Sequence, residues 1–586
     1  MDTNNCSKSC CPAAFDRQSM KVKKKSSLRI AAILGDRLFQ GIRFEGELLP
    51  LTPSRVNAVL EFGQPDILLV ESVSRSSDGF WNTSVSAEPE QQETLARALK
   101  TARAKLVPTV YWLTVGHEKF EEYRKTAELF DLIACADPVS VDILVKAGRN
   151  AIYLPPCVQT AIFNPFRHLD DQNALDLNIL FDKGSDLREF DGLRSAFEGL
   201  NGHGLTILES RQPKDDGSRS LSDKAQDNLP FAFVSPEARL AALKSAKAYV
   251  SCGTSTSTWV EQQWMALEAA ACRMAVVHLG RLEANDLLSD VVVDCSCEEE
   301  FLLEFYRHSK DSLYRERIAH LSWRQVNEHH TYSHRIAQLC RELGLTHDWV
   351  EYPNVSVITP TYRRSLLKRC VENYEKFDYP NKELVIVFNG NELPDERELG
   401  VSERSDITLT YVPSDLFAGA ALNMGHLVAS GKYVLRVDDD DYYGPKYLKD
   451  MVISARALNA DLFGKSPIPL NFEGCNEIYV KQDSKEFFIV ELGSIDDGKI
   501  WLGGNTVAGK AKFFQSNPYI DHTYGAADTS MQLNIDGSDA PHVALMDKFN
   551  AVAFRNADVN LHTWRNGLAQ LIAKRMIFLD LHEFII

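Results

Sequence analysis

The chain has 586 residues, 44% of them apolar and 25% charged, a composition that excludes collagen-like, low-complexity and wholly disordered classes. Lys plus Arg total 64 against 81 Asp plus Glu, a formal net charge of −17, so phosphate-backbone binding is disfavoured and no nucleic-acid partner is expected. No apolar stretch reaches the roughly 20 residues that cross a bilayer. The run after the basic cluster Lys21–Lys25, Ile30 to Leu34, is shorter than a signal-peptide core, so the expected location is cytoplasmic. Twelve scattered cysteines fit reduced thiols, and Cys6, Cys10 and Cys11 lack the second pair or histidines of a zinc site.

Residues 1–27 are polar, Ser/Lys-rich and without apolar period, and are expected to form a disordered leader. From Leu28 short apolar runs alternate with helical patterns. Arg29 to Leu34, Ile67 to Val70, Thr109 to Leu113, Leu132 to Cys135 and Ile152 to Leu154 read as strands, with a helix over Gln91 to Lys105. Near-continuous apolar strands separated by helices predict a parallel sheet covered on both faces, here one α/β unit over 28–170. A second unit, 171–348, has strands at Asn178 to Phe181, Leu205 to Leu208, Ala248 to Ser251, Ala275 to His278 and Val291 to Val293. Its predicted helices are Leu187 to Leu200, Pro236 to Ala246 and Glu261 to Cys272, and residues 211–229 read as a surface loop. Two such sheets in series place a ligand crevice between them, at the carboxyl ends of their strands.

The third unit, 349–586, opens with strands at Val355 to Ile358, Glu383 to Phe388 and Ile407 to Val412, and helices at Ser365 to Tyr374 and Ala418 to Ala429. The strand Tyr433 to Val437 runs directly into Asp438, Asp439, Asp440 and Asp441. Carboxylates crowded at the lip of a sheet repel one another unless they share a cation. Mg²⁺ or Mn²⁺ suits such oxygen ligands and bridges to substrate phosphates. The competing reading is a solvated acidic turn or helix start. The C-terminal Leu568 to Ile586 reads as an amphipathic helix that either packs on the last sheet or docks peripherally on the inner membrane face.

Several of these features co-occur in one order: Val355 to Arg363, Lys382 to Gly390, the helix from Leu422 to Gly431, then the aspartate strand. Together they resemble the nucleotide-sugar-binding core of glycosyltransferase family 2, a GT-A fold. The resemblance implies donor contacts from Thr359, Pro360, Tyr362, Arg363, Asn389, Asp438 and Asp439. Asp438 and Asp440 match the D-x-D positions that hold the metal, and Asp439 and Asp441 are neighbours able to substitute. Phe388 and Asn389 stand where many members carry a base-contacting Asp, which leaves a UDP-sugar as the default donor. An inverting transferase needs a carboxylate to deprotonate the acceptor hydroxyl, and Asp528 is the candidate, with Asp521 and Asp536 in reserve. Ala527 replaces the acidic residue usually found before it. His562 is implied as a further metal ligand, and Trp501 and Trp564 either stack on sugar rings or belong to the core.

Residues 28–345 resemble the CgeB-like glycosyltransferases of the GT-B type. The likeness rests on Gln64 to Ser72 with Gly79-Phe80-Trp81, Pro108 to Trp112, Phe130 to Ile133, Leu154 to Pro156, Ala266 to Cys272 and His330 to Arg335. It implies two Rossmann-like units and a second, metal-free donor site, with Glu268 at the ribose position and Ser255 and Thr256 in a polar loop. Arg273 departs from the usual glycine, and His117 or Glu118 is either a base or structural. The combined expectation is a two-module glycosyltransferase of surface polysaccharide synthesis, acting on a glycan or lipid-linked acceptor. A catalytically inert glycan-binding or scaffolding protein and a sugar nucleotidyltransferase are the alternatives.

Overall fold

The computed structural model describes residues 28–168, 178–182, 195–200, 204–209, 231–233, 235–252, 259–282, 286–466, 469–474, 477–481, 485–490, 502–521, 527–533, 535, 542–556 and 576–586. Among these residues the first sheet has six parallel strands, ordered Glu47–Pro50, Arg29–Ile33, Ile67–Glu71, Thr109–Leu113, Leu132–Cys135 and Ala151–Tyr153. Alternate residues of each strand face opposite layers, which is why the runs are apolar throughout. Ile30, Leu69 and Trp112 pack under Tyr332, Ile336 and Leu339, while Ala31, Leu68 and Tyr111 pack with Leu95 and Leu99. Burying each large side chain contributes about 1.5–3 kcal/mol.

A second all-parallel sheet is ordered Phe231–Phe233, Leu205–Glu209, Ile179–Asp182, Ala248–Cys252, Ala275–Leu279 and Val293–Cys295. Its last strand begins at Val293, two residues beyond the expected start. The helix Tyr332–Glu342 falls in this unit by sequence but lies on the first sheet; Gly41 admits it, since a methyl there would overlap the Tyr332 ring.

The third sheet is mixed. Ile407–Val412, Lys382–Asn389, Val355–Thr361 and Tyr433–Arg436 run parallel, followed by Ala508–Lys510, Leu462–Gly464, Val543–Leu545, Phe488–Val490 and Arg167–His168. The last of these comes from the first 170 residues, so this sheet crosses the boundary expected from sequence. The helix Ala418–Val428 lies close over Ile358 because Gly425 has no side chain to hold it off. A smaller sheet joins Tyr442–Tyr443, Ala551–Arg555, Leu470–Phe472, Glu477–Lys481 and Met576–Asp580. Met576–Asp580, expected within a helix, is therefore a strand: it pairs antiparallel with Glu477–Lys481, and that partner overrides the local amphipathic period. The described part of the C-terminus thus packs on the last sheet, and among the described residues no helix is long and apolar enough to cross a membrane.

Candidate active site

The strands Val355–Thr361, Lys382–Asn389 and Tyr433–Arg436 end at one edge of the third sheet. That brings Thr359 to Arg363, Asn389 and the four aspartates together. Beyond Arg436 the chain bends and burial alternates: Asp439 and Asp441 are buried, and Asp438 and Asp440 are half-buried. The four carboxylates therefore have two different jobs.

Asp439 is turned inward. The Thr361 hydroxyl and both Nε (3.1 Å) and Nη2 of Arg363 donate to it. The same Nη2 lies 2.9 Å from Asp440. Asp441 accepts the Phe554 N–H at 2.9 Å and the Asn505 amide. Burial first, and then the neighbouring Asp438 and Asp440, push its carboxyl up to about 8. Asp438 is held by the guanidinium fork of Arg436, at 2.6 and 3.0 Å. Its N–H donates to the Tyr443 hydroxyl at 3.0 Å, which in turn donates to the Asn505 carbonyl at 2.8 Å. Arg369 donates to the Asp440 carbonyl at 2.8 Å.

Of the expected donor contacts, Thr359 is buried within its strand, Pro360 is half-buried, and Tyr362 is 63% exposed. Asn389 donates to the Leu416 carbonyl at 2.8 Å. Asp528 lies in the first turn of the short helix Ala527–Leu533, and its carboxyl rests against Gly504, where a methyl would overlap it. Gly504 precedes Asn505, which donates to Asp441, so Asp528 lies one residue's reach from the aspartate cluster. Asp521 is used elsewhere: it accepts the N–H groups of Phe417 and Ala420 at 3.1 and 3.0 Å, at the start of Ala418–Val428. His562, Trp501, Trp564, Asp536, Ser255 and Thr256 lie outside the described residues.

The half-buried Asp438 and Asp440 supply hard oxygen ligands of the kind that suits a divalent cation. His320, Asp450 and Asp547 form another buried group, their ligand atoms within 4.8 Å of one another. There Arg324 forks onto Asp450 at 2.7 and 2.8 Å, and Lys465 lies 2.8 Å from Asp547. Both carboxylates thus carry a cationic partner in a buried ion-pair network, as Asp438 does with Arg436 and Asp440 with Arg363.

Between the first sheet and the helix Trp259–Ala271 opens a cavity of about 170 Å³ lined by Arg37, Glu71, Thr114, Lys119, Val260 and Trp264. Glu71 ends its strand there and accepts the Gly35 N–H at 2.7 Å and the Thr114 hydroxyl at 2.9 Å. Burial outweighs those donors and the Arg37 charge, pushing its carboxyl up to about 7. Glu268 accepts Arg239 at 2.7 Å and lies 3.3 Å from Arg37, while Arg239 also holds Asp182. His117 lies 3.5 Å from Glu118 and 3.8 Å from Asp137.

Sequence reasoning passed over Glu71, Thr361, Arg436 and Asn505. Arg436 carried a signal, being a cation inside an apolar strand, where it requires a carboxylate partner.

Residues 356–477 match the family model described as Glycosyl transferase family 2. That segment is similar to the family's domain. The matched segment holds Thr359 to Arg363, Asn389 and all four aspartates, and ends before Asp528. Over 99 residues the chain is 30% identical to the Escherichia coli (strain K12) protein named "Putative colanic acid biosynthesis glycosyl transferase WcaA", covering 16% of this chain and 36% of that protein. The chain therefore spans about a third of the length of the relative it matches. Among solved structures, S. aureus TarS 1-349 in complex with UDP-GlcNAc is 21% identical over 34% of this chain and 58% of its own, with a TM-score of 0.28. The mannosyltransferase PcManGT from Pyrobaculum calidifontis, in complex with GDP-Man and Mn²⁺, is 19% identical over 35% of this chain and 57% of its own, with a TM-score of 0.25.

Proposed function

We propose that the second half, 349–586, is a glycosyltransferase moving a sugar from a nucleotide-sugar donor to a glycan or lipid-linked hydroxyl in polysaccharide synthesis. The observation that carries this reading is the half-buried pair Asp438 and Asp440 inside the matched family segment, with Asp528 packed against Gly504 beside Asn505, which holds Asp441. Asp438 and Asp440 would hold Mn²⁺ or Mg²⁺, which supplies positive charge to the diphosphate leaving group. Pro360, Tyr362, Arg363 and Asn389 would line the donor side, with Thr359 buried beneath them and Asp439 anchoring Arg363. Asp528 takes the acceptor proton as the hydroxyl attacks the anomeric carbon, a direct displacement that inverts it.

The test is nucleotide release from a panel of nucleotide sugars, UDP-sugars first, with Mn²⁺, Mg²⁺ or EDTA, comparing wild type with Asp440→Ala. Release that needs metal and disappears in the variant supports the reading. Release that survives both overturns it and favours a second reading, in which the crevice of the first two units, 28–170 and 171–348, is itself a donor site. Glu71 supports that alternative, because a carboxyl poised near neutrality in a cavity suits proton transfer. Glu268, Ser255 and Thr256 are its proposed donor contacts.

A further inference from the structure

The two halves are joined by a buried, charged seam. The helix Ser312–His329 sets Trp323 against Phe487 and His320 against Phe549, and Glu316 pairs with Lys548. Arg273 adopts a left-handed backbone (φ +61°) and reaches across to Glu486 at 3.1 Å and over the Phe487 ring at 4.7 Å. That cross-seam contact accounts for an arginine at a turn where glycine is easier.

One part of the seam leads to the aspartates. Asp450, fully buried, accepts the fork of Arg324, the His320 Nε2–H at 3.0 Å and the Asn550 Nδ2–H at 2.9 Å. Asn550 is itself left-handed (φ +61°), and its carbonyl accepts the Gly444 N–H at 3.0 Å, three residues beyond Asp441. The strand it starts, Ala551–Arg555, pairs with Tyr442–Tyr443 and donates the Phe554 N–H to Asp441. The bonds to Asp450 are buried, and a charge-assisted bond in such surroundings is stronger than a neutral one.

We propose that Arg324, in the first half, is a positioning residue for the aspartate cluster of the second, acting through Asp450 and Asn550 on the turn at Gly444 and on Asp441. The first half then forms part of the frame on which the Asp438–Asp440 pair is held, and is more than a tethered neighbour. The functional consequence rests on the reading of that pair as the transferase site, whereas the positioning itself does not.

The full-length chain is compared as wild type, Arg324→Lys, Asn550→Gly and Arg273→Gly, by amide hydrogen exchange and by Mn²⁺ titration. Arg324→Lys keeps the charge and loses the fork; Asn550→Gly keeps the left-handed backbone and removes only the side chain, a second route to the same break should the first fold poorly. Both are expected to speed exchange across 439–446 about tenfold and to weaken Mn²⁺ by about five- to tenfold, leaving Val355–Thr361 as protected as in wild type. Arg273→Gly, on the same seam but outside the Arg324–Asp450–Asn550 hydrogen bonds, is expected to lower Tm and leave both readouts unchanged. Wild-type protection of 439–446 in Arg324→Lys and Asn550→Gly, with only Tm reduced, would overturn the proposal, as would an equal response from Arg273→Gly. Wild type that binds no Mn²⁺ while the exchange pattern appears as expected refutes the metal reading and leaves the positioning supported.

Discussion

The split of the four aspartates into inward and outward pairs predicts opposite consequences for adjacent substitutions. Asp439→Asn keeps the side-chain shape but turns one acceptor oxygen into a donor facing Arg363 and the Thr361 hydroxyl, both already donors. Removing one partner of a fully buried ion pair costs about 3–5 kcal/mol. Arg363 is 23% exposed and keeps Asp440 at 2.9 Å, so the expected loss is smaller, on the order of 2–4 kcal/mol. That corresponds to a fall in Tm of about 5–10 °C. Asp440→Asn leaves Asp439 paired and removes a like charge beside Asp438 and Asp441, so its stability should stay within about 0.5 kcal/mol of wild type. Its Mn²⁺ affinity should fall at least ~10-fold, since a hard anionic ligand is lost. Thermal unfolding and Mn²⁺ titration of the two variants check both halves. If Asp439→Asn lost metal binding at unchanged Tm, or Asp440→Asn unfolded the protein, the assignment of inward and outward carboxylates would be wrong.

Glu71 sets a pH dependence in the first half. Its carboxyl is pushed from 4.5 up to about 7 in the folded state, so between those values the native chain holds a proton that the unfolded chain releases. Stability from this group is therefore full below about pH 4.5 and declines as pH rises through 7, by up to ~3 kcal/mol. Glu71→Gln should abolish that decline, making the variant more stable than wild type at pH 8 but not at pH 4.5; urea midpoints at the two pH values measure it. At the second-half edge, Asp528→Asn should lower kcat by about 10²–10⁴-fold with donor KM retained, read from initial rates. Gly504→Ala places a methyl against the Asp528 carboxyl and should lower kcat by about tenfold or more in the same assay, with little change in metal affinity. Equal losses of metal affinity and kcat in Gly504→Ala would separate Asp528 from the role of base.

Strands and their order along the chain were legible because they are local. Apolar runs such as Ile67–Glu71 and Lys382–Asn389 carry their own pattern, and Tyr433 to Val437 leads into four aspartates without help from elsewhere. The domain match over 356–477 rests on the same kind of contiguous information. Which aspartates face out is a different matter. Asp439 is turned inward by Arg363, 76 residues away, and Asp441 by Asn505 and Phe554, 64 and 113 residues away. No window of sequence contains those partners. Met576–Asp580 became a strand, and Arg167–His168 joined a sheet whose other strands lie beyond residue 350, for the same reason: an edge is completed by whatever segment the fold delivers to it. Arg273 looked in sequence like the loss of a glycine, and in the fold it is a cation reaching across the seam between the halves. The chain's local chemistry thus determined its strands and the supply of carboxylates at one sheet edge. Only the tertiary structure decided which of them bind inward, because hydrogen bonds and burial act between neighbours in space, however far apart they stand along the chain.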